Sequence, residues 1–125
     1  MFAKRILVID DERNLCAVIK VCLEHLGGWQ VLISHSGSEG LLLAETEIPD
    51  AILLDVMMPD TNGLVLLYAL RINAVTRTIP VILLTAKTHP ISSNESAQLG
   101  IAGVIAKPFD PIQLSDQVKV LLEWE

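Results

Sequence analysis

The sequence predicts an α/β protein: a doubly wound parallel sheet covered by helices on both faces. Strand and helix patterns alternate five times along the 125 residues, and their short connections favour right-handed crossovers. Four apolar runs show no polar alternation, which is typical of strands buried on both faces. The hydrophobic fraction of 51% slightly exceeds the roughly 45–50% of ordinary soluble domains. That excess fits a sheet covered on both sides.

The first half of the chain contains three predicted strands and two helices. Strands are expected at residues 6–9, 30–33 and 51–54. The first helix is predicted to end at Gly27-Gly28. Apolar residues at helical spacing predict its buried stripe: Leu15, Ile19, Cys22 and Leu26. Ser36 and Glu39 have the spacing of a capping box and open the second helix, which runs through Leu41, Leu42 and Ala44.

The second half contains a loop at 58–63, a helix at 64–72 and strands at 81–84 and 104–106. Ser92 and Glu95 form a second capping box, which opens a short helix that ends near Gly100. The last helix is predicted to begin with Asp110 as its N-cap. Pro111 and Gln113 occupy its N1 and N3 positions. Its expected buried stripe is Leu114, Val118, Leu121 and Leu122.

Composition limits the possible functions. Residues 1–125 are expected to form one domain. No apolar stretch approaches the roughly 20 residues that span a membrane, and no signal peptide is evident, so we expect a soluble, cytoplasmic protein. The net charge of −6 with scattered Lys and Arg argues against direct nucleic-acid binding. Cys16 and Cys22 lie six apart on one helix, so we expect two buried thiols and no disulfide.

Polar residues follow four of the apolar runs. Asp10 and Asp11 follow the first, and Asp55, Thr85 and Lys107 follow the others. Parallel sheets bind ligands outside the carboxyl ends of their strands, so these side chains should converge on one crevice. Two carboxylates 4 Å apart repel by roughly 4 kcal/mol at an effective dielectric near 20. A hard cation offsets such repulsion, and Mg²⁺ suits carboxylate oxygens beside a phosphate.

The remaining groups of this crevice fit phosphoryl chemistry. The ammonium of Lys107 can act as a point charge on a phosphate oxygen, and the hydroxyl of Thr85 can donate to another. An aspartate such as Asp55 can accept a phosphoryl group to form an acyl phosphate. The protein then contributes positioning and charge stabilisation rather than acid–base catalysis.

Four motifs together resemble the receiver domain of two-component response regulators, of the stand-alone chemotaxis-regulator type. The motifs are Asp10-Asp11, Asp55-Val56-Met57-Met58-Pro59 with Gly63 beyond, Thr85-Ala86, and Lys107-Pro108-Phe109. The resemblance extends over the whole chain. The resemblance implies a flavodoxin-like (βα)5 fold with strand order 2-1-3-4-5. It also implies a phosphorylation-dependent signalling module, whose own catalysis is limited to phosphoryl transfer to itself and slow autodephosphorylation.

The resemblance further implies a role for each site residue. Asp55 would accept the phosphoryl group from a phosphohistidine of a sensor histidine kinase or a phosphotransfer protein. Asp11, Asp55 and the backbone carbonyl of Met57 would hold Mg²⁺, with Asp10 acting through water. Thr85 and Lys107 would bind the phosphoryl oxygens, and the Lys107–Pro108 bond would be cis.

Two positions depart from the family or vary within it. Val104 stands three residues before the lysine, where the family usually has Tyr or Phe, so an aromatic rotamer is excluded as the output signal. Lys87 lies two residues after Thr85, and we hypothesise that it affects dephosphorylation. The output is expected to be an unknown downstream protein. The chain would act alone, as a monomer or weak dimer, or as the receiver of a larger regulator.

Other functions fit these residues less well. A haloacid-dehalogenase-type aspartyl phosphatase needs a second Asp where the chain has Met57. A flavodoxin-like FMN site or a Rossmann site needs a phosphate loop that is absent after the first strand. An unphosphorylated pseudo-receiver would have lost part of the acidic set.

The histidines and tryptophans have structural interpretations. His25, His35 and His89 are expected at the surface. Trp29 and Trp124 are expected to pack internally, with a partner-anchoring role for Trp124 as the alternative.

Overall fold

The computed structural model describes residues 3–59, 61–86 and 99–124. Its described residues form five strands: β1 (Arg5–Ile9), β2 (Gln30–Ser34), β3 (Ala51–Asp55), β4 (Val81–Ala86) and β5 (Ile101–Lys107). They also form four helices: α1 (Arg13–His25), α2 (Gly37–Glu47), α3 (Gly63–Ile72) and α4 (Leu114–Leu122). The helix predicted to begin at Ser92 lies outside the described residues. No described helix is both long and apolar enough to cross a membrane.

The five strands form one parallel sheet in the order β2-β1-β3-β4-β5, which confirms the predicted α/β, doubly wound fold. Strand β3 is central, between β1 and β4. The register aligns Ile9 with Leu54, and Asp55 with Leu84. The residues that directly follow β1 and end β3 therefore stand side by side at the carboxyl edge of the sheet.

Two separate cores cover the two faces of the sheet. The first core lies beneath α1 and α4, and its buried residues include Ile6, Val8, Cys16, Ile19, Leu53, Leu84, Leu114 and Val118. The second lies beneath α2 and α3, and includes Leu7, Ile9, Ala44, Ile52, Leu54, Leu67, Leu70 and Leu83. Alternate residues of each strand point to opposite faces. The uninterrupted apolar runs are therefore explained by burial on both sides.

That explanation holds for β1, β3 and β4 but not for β5. Along β5 only Ile105 is buried, and the side chain of Val104 is 42% exposed. The prediction that this fourth run is buried on both faces is therefore wrong. Among the described residues β5 pairs only with β4, and α4 packs on one of its faces, where Ile105 lies.

The helix ends follow local hydrogen bonding. The Ser36 hydroxyl accepts the backbone N–H of Glu39 at 3.2 Å and caps α2, as predicted. Asp110 is not the N-cap of the last helix, contrary to the prediction. Its carboxylate accepts the Ile112 N–H at 2.9 Å and its carbonyl accepts the Gln113 N–H at 3.1 Å. These bonds close a turn with Pro111 at its second position, where proline is favoured, and α4 begins only at Leu114.

The buried stripe of α1 also differs from the prediction. Cys16, Ile19 and Leu23 are buried, whereas Cys22 is half-buried and Leu26 is 54% exposed. The prediction of two buried thiols is therefore correct for Cys16 only, and both cysteines are free. Leu26 lies beyond the end of the helix at His25, so helical spacing no longer directs its side chain toward the sheet.

The two tryptophans pack against each other: Trp29 directly precedes β2, and Trp124 follows α4. Trp29 is buried, and its ring centroid lies 5.2 Å from that of Trp124 in an edge-to-face arrangement. The ammonium of Lys4 lies 5.3 Å from the Trp124 ring centroid. Both tryptophans belong to the first core, which supports the predicted packing role over an anchor for a partner.

Candidate functional site

Three carboxylates meet at the carboxyl edge of the sheet. Asp10 follows β1, Asp11 comes next, and Asp55 ends β3. One oxygen from each lies within 4.8 Å of the others. Asp10 is fully buried and Asp55 is 3% exposed, whereas Asp11 is half-buried. The structure therefore brings together the three acids that the sequence places at strand ends.

Lys107 reaches the same cluster from the end of β5. Its Nζ lies 2.9 Å from Asp10 Oδ2, 3.5 Å from Asp55 Oδ2 and 3.8 Å from Glu12 Oε1. The side chain is only 18% exposed, so its charge is partly shielded from water. The Lys107–Pro108 peptide bond is cis, as the family resemblance implies. Glu12 also contacts Lys107. The sequence did not predict this contact, because Glu12 lies beyond the Asp10–Asp11 pair that follows the first strand.

Asp10 is held by contacts at every polar group. Its Oδ1 accepts the Glu12 N–H at 2.9 Å, and its own N–H is donated to the Ser34 carbonyl at 3.0 Å. Its carbonyl oxygen accepts the Cys16 thiol at 3.3 Å and lies 3.2 Å from His35 Nδ1. His35 is thus half-buried beside the site rather than an unengaged surface histidine. Nothing in the spacing of His35 from Asp10 along the chain signals this contact.

Asp55 is the last residue of β3, Thr85 is the last but one of the neighbouring β4, and both are almost fully buried. The register aligns Asp55 with Leu84, so Thr85 stands one residue beyond Asp55 at the sheet edge. The Thr85 hydroxyl donates to the carbonyl of Ala86 at 3.2 Å. The Met57 N–H donates to Asp55 Oδ1 at 3.1 Å, and Met57 pairs with Asn62 in an isolated bridge. These bonds hold the loop after β3 against the carboxylate.

Burial and charge shift the acid–base behaviour of the site. Desolvation, with the nearby charge of Asp10, raises the pKa of Asp55 from 3.8 to about 6, against the opposing effects of Lys107 and the Met57 N–H. Burial lowers the pKa of Lys107, but its hydrogen bond to Asp10 and the surrounding carboxylates more than offset this and raise it overall. The cluster therefore holds more negative charge than Lys107 alone neutralises.

The donor set fits a hard divalent cation. Each acid supplies an oxygen close to the others, and Mg²⁺ binds through one or two carboxylates while it keeps several waters. The raised pKa of Asp55 shows that ionising the whole cluster is unfavourable without added positive charge.

The remaining positions singled out in the sequence are Val104, Lys87, His89 and His25. Val104 lines an open groove between β5 and α4, together with Gln113 just before that helix and with Asp116, Val120 and other residues of the helix. Lys87 and His89 fall outside the described residues. His25 is exposed near the end of α1.

The chain is similar to known signalling proteins along most of its length. Residues 6–119 match the response regulator receiver domain family. The alkaline phosphatase synthesis transcriptional regulatory protein PhoP of Bacillus subtilis is 36% identical over 95% of this chain and 48% of its own length. The transcriptional regulatory protein CpxR of Escherichia coli is 37% identical over 94% of this chain and 49% of its own length. The chain therefore spans about half the length of these curated relatives.

A solved structure supports the same grouping. The chemotaxis protein CheY4 of Vibrio cholerae superposes with a TM-score of 0.85, at 27% identity, over 95% of this chain and 98% of its own. The fold and the acidic edge place the protein in the class of flavodoxin-like α/β domains that resemble chemotaxis regulators. It belongs to the response regulator receiver domain family of two-component signalling. Receiver domains are signalling modules rather than ordinary enzymes, and they generally bind Mg²⁺ at an acidic pocket. The phosphatase and pseudo-receiver alternatives are not favoured.

Proposed function

We propose that Asp55 accepts a phosphoryl group from a phosphohistidine of a sensor histidine kinase or a phosphotransfer protein. One observation carries the proposal: Lys107 Nζ lies within 3.5 Å of a buried carboxylate that ends the central strand. A buried acid beside an ammonium is well placed to receive a group whose oxygens need that cation.

The proposed reaction is a direct displacement. A carboxylate oxygen of Asp55 attacks phosphorus, an O–P bond forms, and the P–N bond to the donor imidazole breaks. The imidazole keeps the bonding electron pair and takes up a proton from solvent, and the product is an acyl phosphate. The ionised form of Asp55 is the nucleophile, so a cation that offsets the negative charge of the cluster favours the reactive carboxylate.

Each residue of the site has a part in this proposal. Lys107 would move its ammonium from the carboxylates to a phosphoryl oxygen, and the hydroxyl of Thr85 would donate to another. Asp11, Asp55 and the carbonyl of Met57 would hold Mg²⁺, with Asp10 acting through water. When bound, Mg²⁺ would offset the charge of the acidic cluster and of the incoming phosphoryl group.

The phosphorylated domain would act as a switch for a downstream protein. A phosphoryl group adds charge and strong acceptor oxygens, and a shift from 1:99 to 99:1 requires about 5.5 kcal/mol of differential interaction. The bonds of Lys107 and Thr85 to the new oxygens supply part of that energy, so we expect a partial shift.

The phosphoryl donor would dock on the exposed side of α1, where Val18 and Val21 are 42% and 56% exposed.

The test is phosphorylation by a small donor. We expect acetyl phosphate with Mg²⁺ to add one phosphoryl group, detected as a mass increase of the intact protein. Asp55→Asn, or an excess of chelator, should abolish the increase. Asp116→Asn on the exposed side of α4 is the matched control and should label like the wild type. Incorporation that persists in Asp55→Asn would assign the acceptor elsewhere, and no labelling of the wild type would support a pseudo-receiver.

A further inference from the structure

The last residue of β2 and the residue that follows it contact Asp10 at both of its backbone polar groups. The Asp10 N–H is donated to the Ser34 carbonyl at 3.0 Å, and His35 Nδ1 lies 3.2 Å from the Asp10 carbonyl oxygen. The Ser34 hydroxyl donates to the Ser36 carbonyl at 2.8 Å, which closes the connection on itself. Strand β2 therefore holds the peptide group before Asp10, and His35 in the following loop holds the peptide group after it.

The chemistry of the two atoms fixes the direction of the His35 contact. A carbonyl oxygen only accepts, so this hydrogen bond requires the proton on Nδ1 of the imidazole. The Cys16 thiol, at 3.3 Å, also approaches this carbonyl, but a thiol is a weak donor. His35 is therefore the stronger of the two side-chain donors to this oxygen.

The carbonyl that His35 binds belongs to the peptide unit that joins Asp10 to Asp11. A peptide unit is planar, so fixing its oxygen also fixes the N–H of Asp11 and the direction in which the chain leaves Asp10. The carboxylate of Asp10 has its own partners in Lys107 and the Glu12 N–H. His35 adds control over the backbone between the two acids.

We infer that His35 is a positioning residue, which sets the Asp10–Asp11 peptide so that the acidic cluster binds its divalent cation tightly. This inference rests on the proposed Mg²⁺ site. Hydrogen-bond partners of metal ligands commonly contribute 10- to 100-fold to metal affinity. His35 acts through the backbone that carries Asp11, so we expect an effect at the lower end of that range. The inference identifies a residue that the strand-end motifs do not include.

The experiment measures Mg²⁺ affinity by following the amide NMR signals of Asp11 and Glu12 during a MgCl₂ titration. His35→Ala should weaken binding by about tenfold. His35→Asn places an amide N–H near the position of Nδ1 and should restore the affinity to within about threefold. His35→Gln extends its amide further and should not. A ¹⁵N spectrum of the wild-type imidazole should show the proton on Nδ1.

Two controls separate positioning from general stability. Ser36→Ala removes the cap of α2 in the same loop but keeps the Ser36 carbonyl and the His35 contact. It should lower the free energy of unfolding in chelator yet change Mg²⁺ affinity by less than twofold. His25→Ala, at the exposed end of α1, should change neither quantity.

The outcomes are distinguishable. Wild-type Mg²⁺ affinity in His35→Ala would overturn the role of His35 and leave the proposed function intact. Equal losses of affinity in His35→Ala and Ser36→Ala would also overturn it, since the effect would then follow loop stability. A wild-type protein that binds no Mg²⁺ would overturn both proposals. Tenfold weakening in His35→Ala with recovery in His35→Asn would support the inference.

Discussion

Lys107 Nζ and Asp10 Oδ2 lie 2.9 Å apart, although 97 positions separate the two residues along the chain. The pair joins the ends of β1 and β5, which are not neighbours in the sheet. Asp10 is fully buried and Lys107 is largely so. The pair therefore differs in kind from an ion pair at the surface.

We expect Lys107→Met to lower the free energy of unfolding by about 2–4 kcal/mol, because it leaves a buried carboxylate without its cation. Lys20→Met is the matched control. The Lys20–Glu24 pair has the same 2.9 Å separation but is 45% and 34% exposed, so its loss should cost less than about 1 kcal/mol. Urea denaturation in chelator measures both. Equal losses would show that burial does not strengthen the Lys107 pair.

Asp55 should make the metal-free protein sensitive to pH. Its folded pKa of about 6 lies above the ordinary 3.8. The stability associated with its protonated form is therefore complete below about pH 4 and is lost as the pH rises through 6. We expect the free energy of unfolding in chelator to fall over this range, and Asp55→Asn to flatten the decline. The Asn variant should be the more stable protein at pH 7, by about 1–3 kcal/mol.

The comparison for Asp55→Asn is Asp116→Asn, which removes an exposed carboxylate of the same kind. Its stability should decline with pH in parallel with the wild type. A slope shared by all three proteins would mean that Asp55 titrates near its ordinary pKa in the folded state.

Gly63 lies against the end of β3, the strand that carries Asp55. A Cβ at this position would stand 2.6 Å from both the Asp55 carbonyl oxygen and the Val56 Cα, and these backbone atoms cannot turn aside. We expect Gly63→Ala to displace the loop after β3, to cost about 1–3 kcal/mol of stability and to slow labelling by acetyl phosphate.

Gly103 provides the control for Gly63. A Cβ there would meet the side chain of Leu121 at 2.5 Å, and a side chain can change its rotamer. Gly103→Ala should therefore label at the wild-type rate. Equally slow labelling of the two variants would show that backbone contact at Gly63 does not matter to the site.

Arg71 binds four backbone carbonyls at once. Its guanidinium donates to Leu99 at 2.7 Å, to Ile79 at 2.8 Å, and to Arg77 and Gly100 at 3.2 Å each. The three donors of a lysine ammonium radiate from one point and do not span this arrangement. Arg71→Lys should therefore cost about 1–3 kcal/mol by chemical denaturation. Arg77→Lys, at an exposed side chain, should cost almost nothing, and equal costs would contradict the proposed carbonyl contacts.

The sequence predicts most of the sheet because strand ends are marked by a change of chemistry. An apolar run that stops at Asp, Thr or Lys indicates both the strand and its functional edge. Parallel pairing then brings those ends together whatever their separation in sequence. This is why Asp10, Asp55, Thr85 and Lys107 could be expected at one edge before the structure placed them there.

Features that depend on tertiary contacts were not predictable in this way. The Asp110–Gln113 segment satisfies a turn as well as a helix start, and burial of Leu114 decides where α4 begins. The apolar run around Val104 carries no sign that its strand lies at an edge. His35 reaches Asp10 because β1 and β2 are neighbours, and no local spacing encodes that contact.

The central strand contributes to both cores, with Leu53 packed beneath α1 and α4, and Leu54 beneath α2 and α3. Any displacement of Asp55 along the axis of β3 must therefore press on both layers of helices together. A perturbation at one carboxylate is thereby divided between opposite sides of the molecule, and two unlike surfaces can respond to the same event.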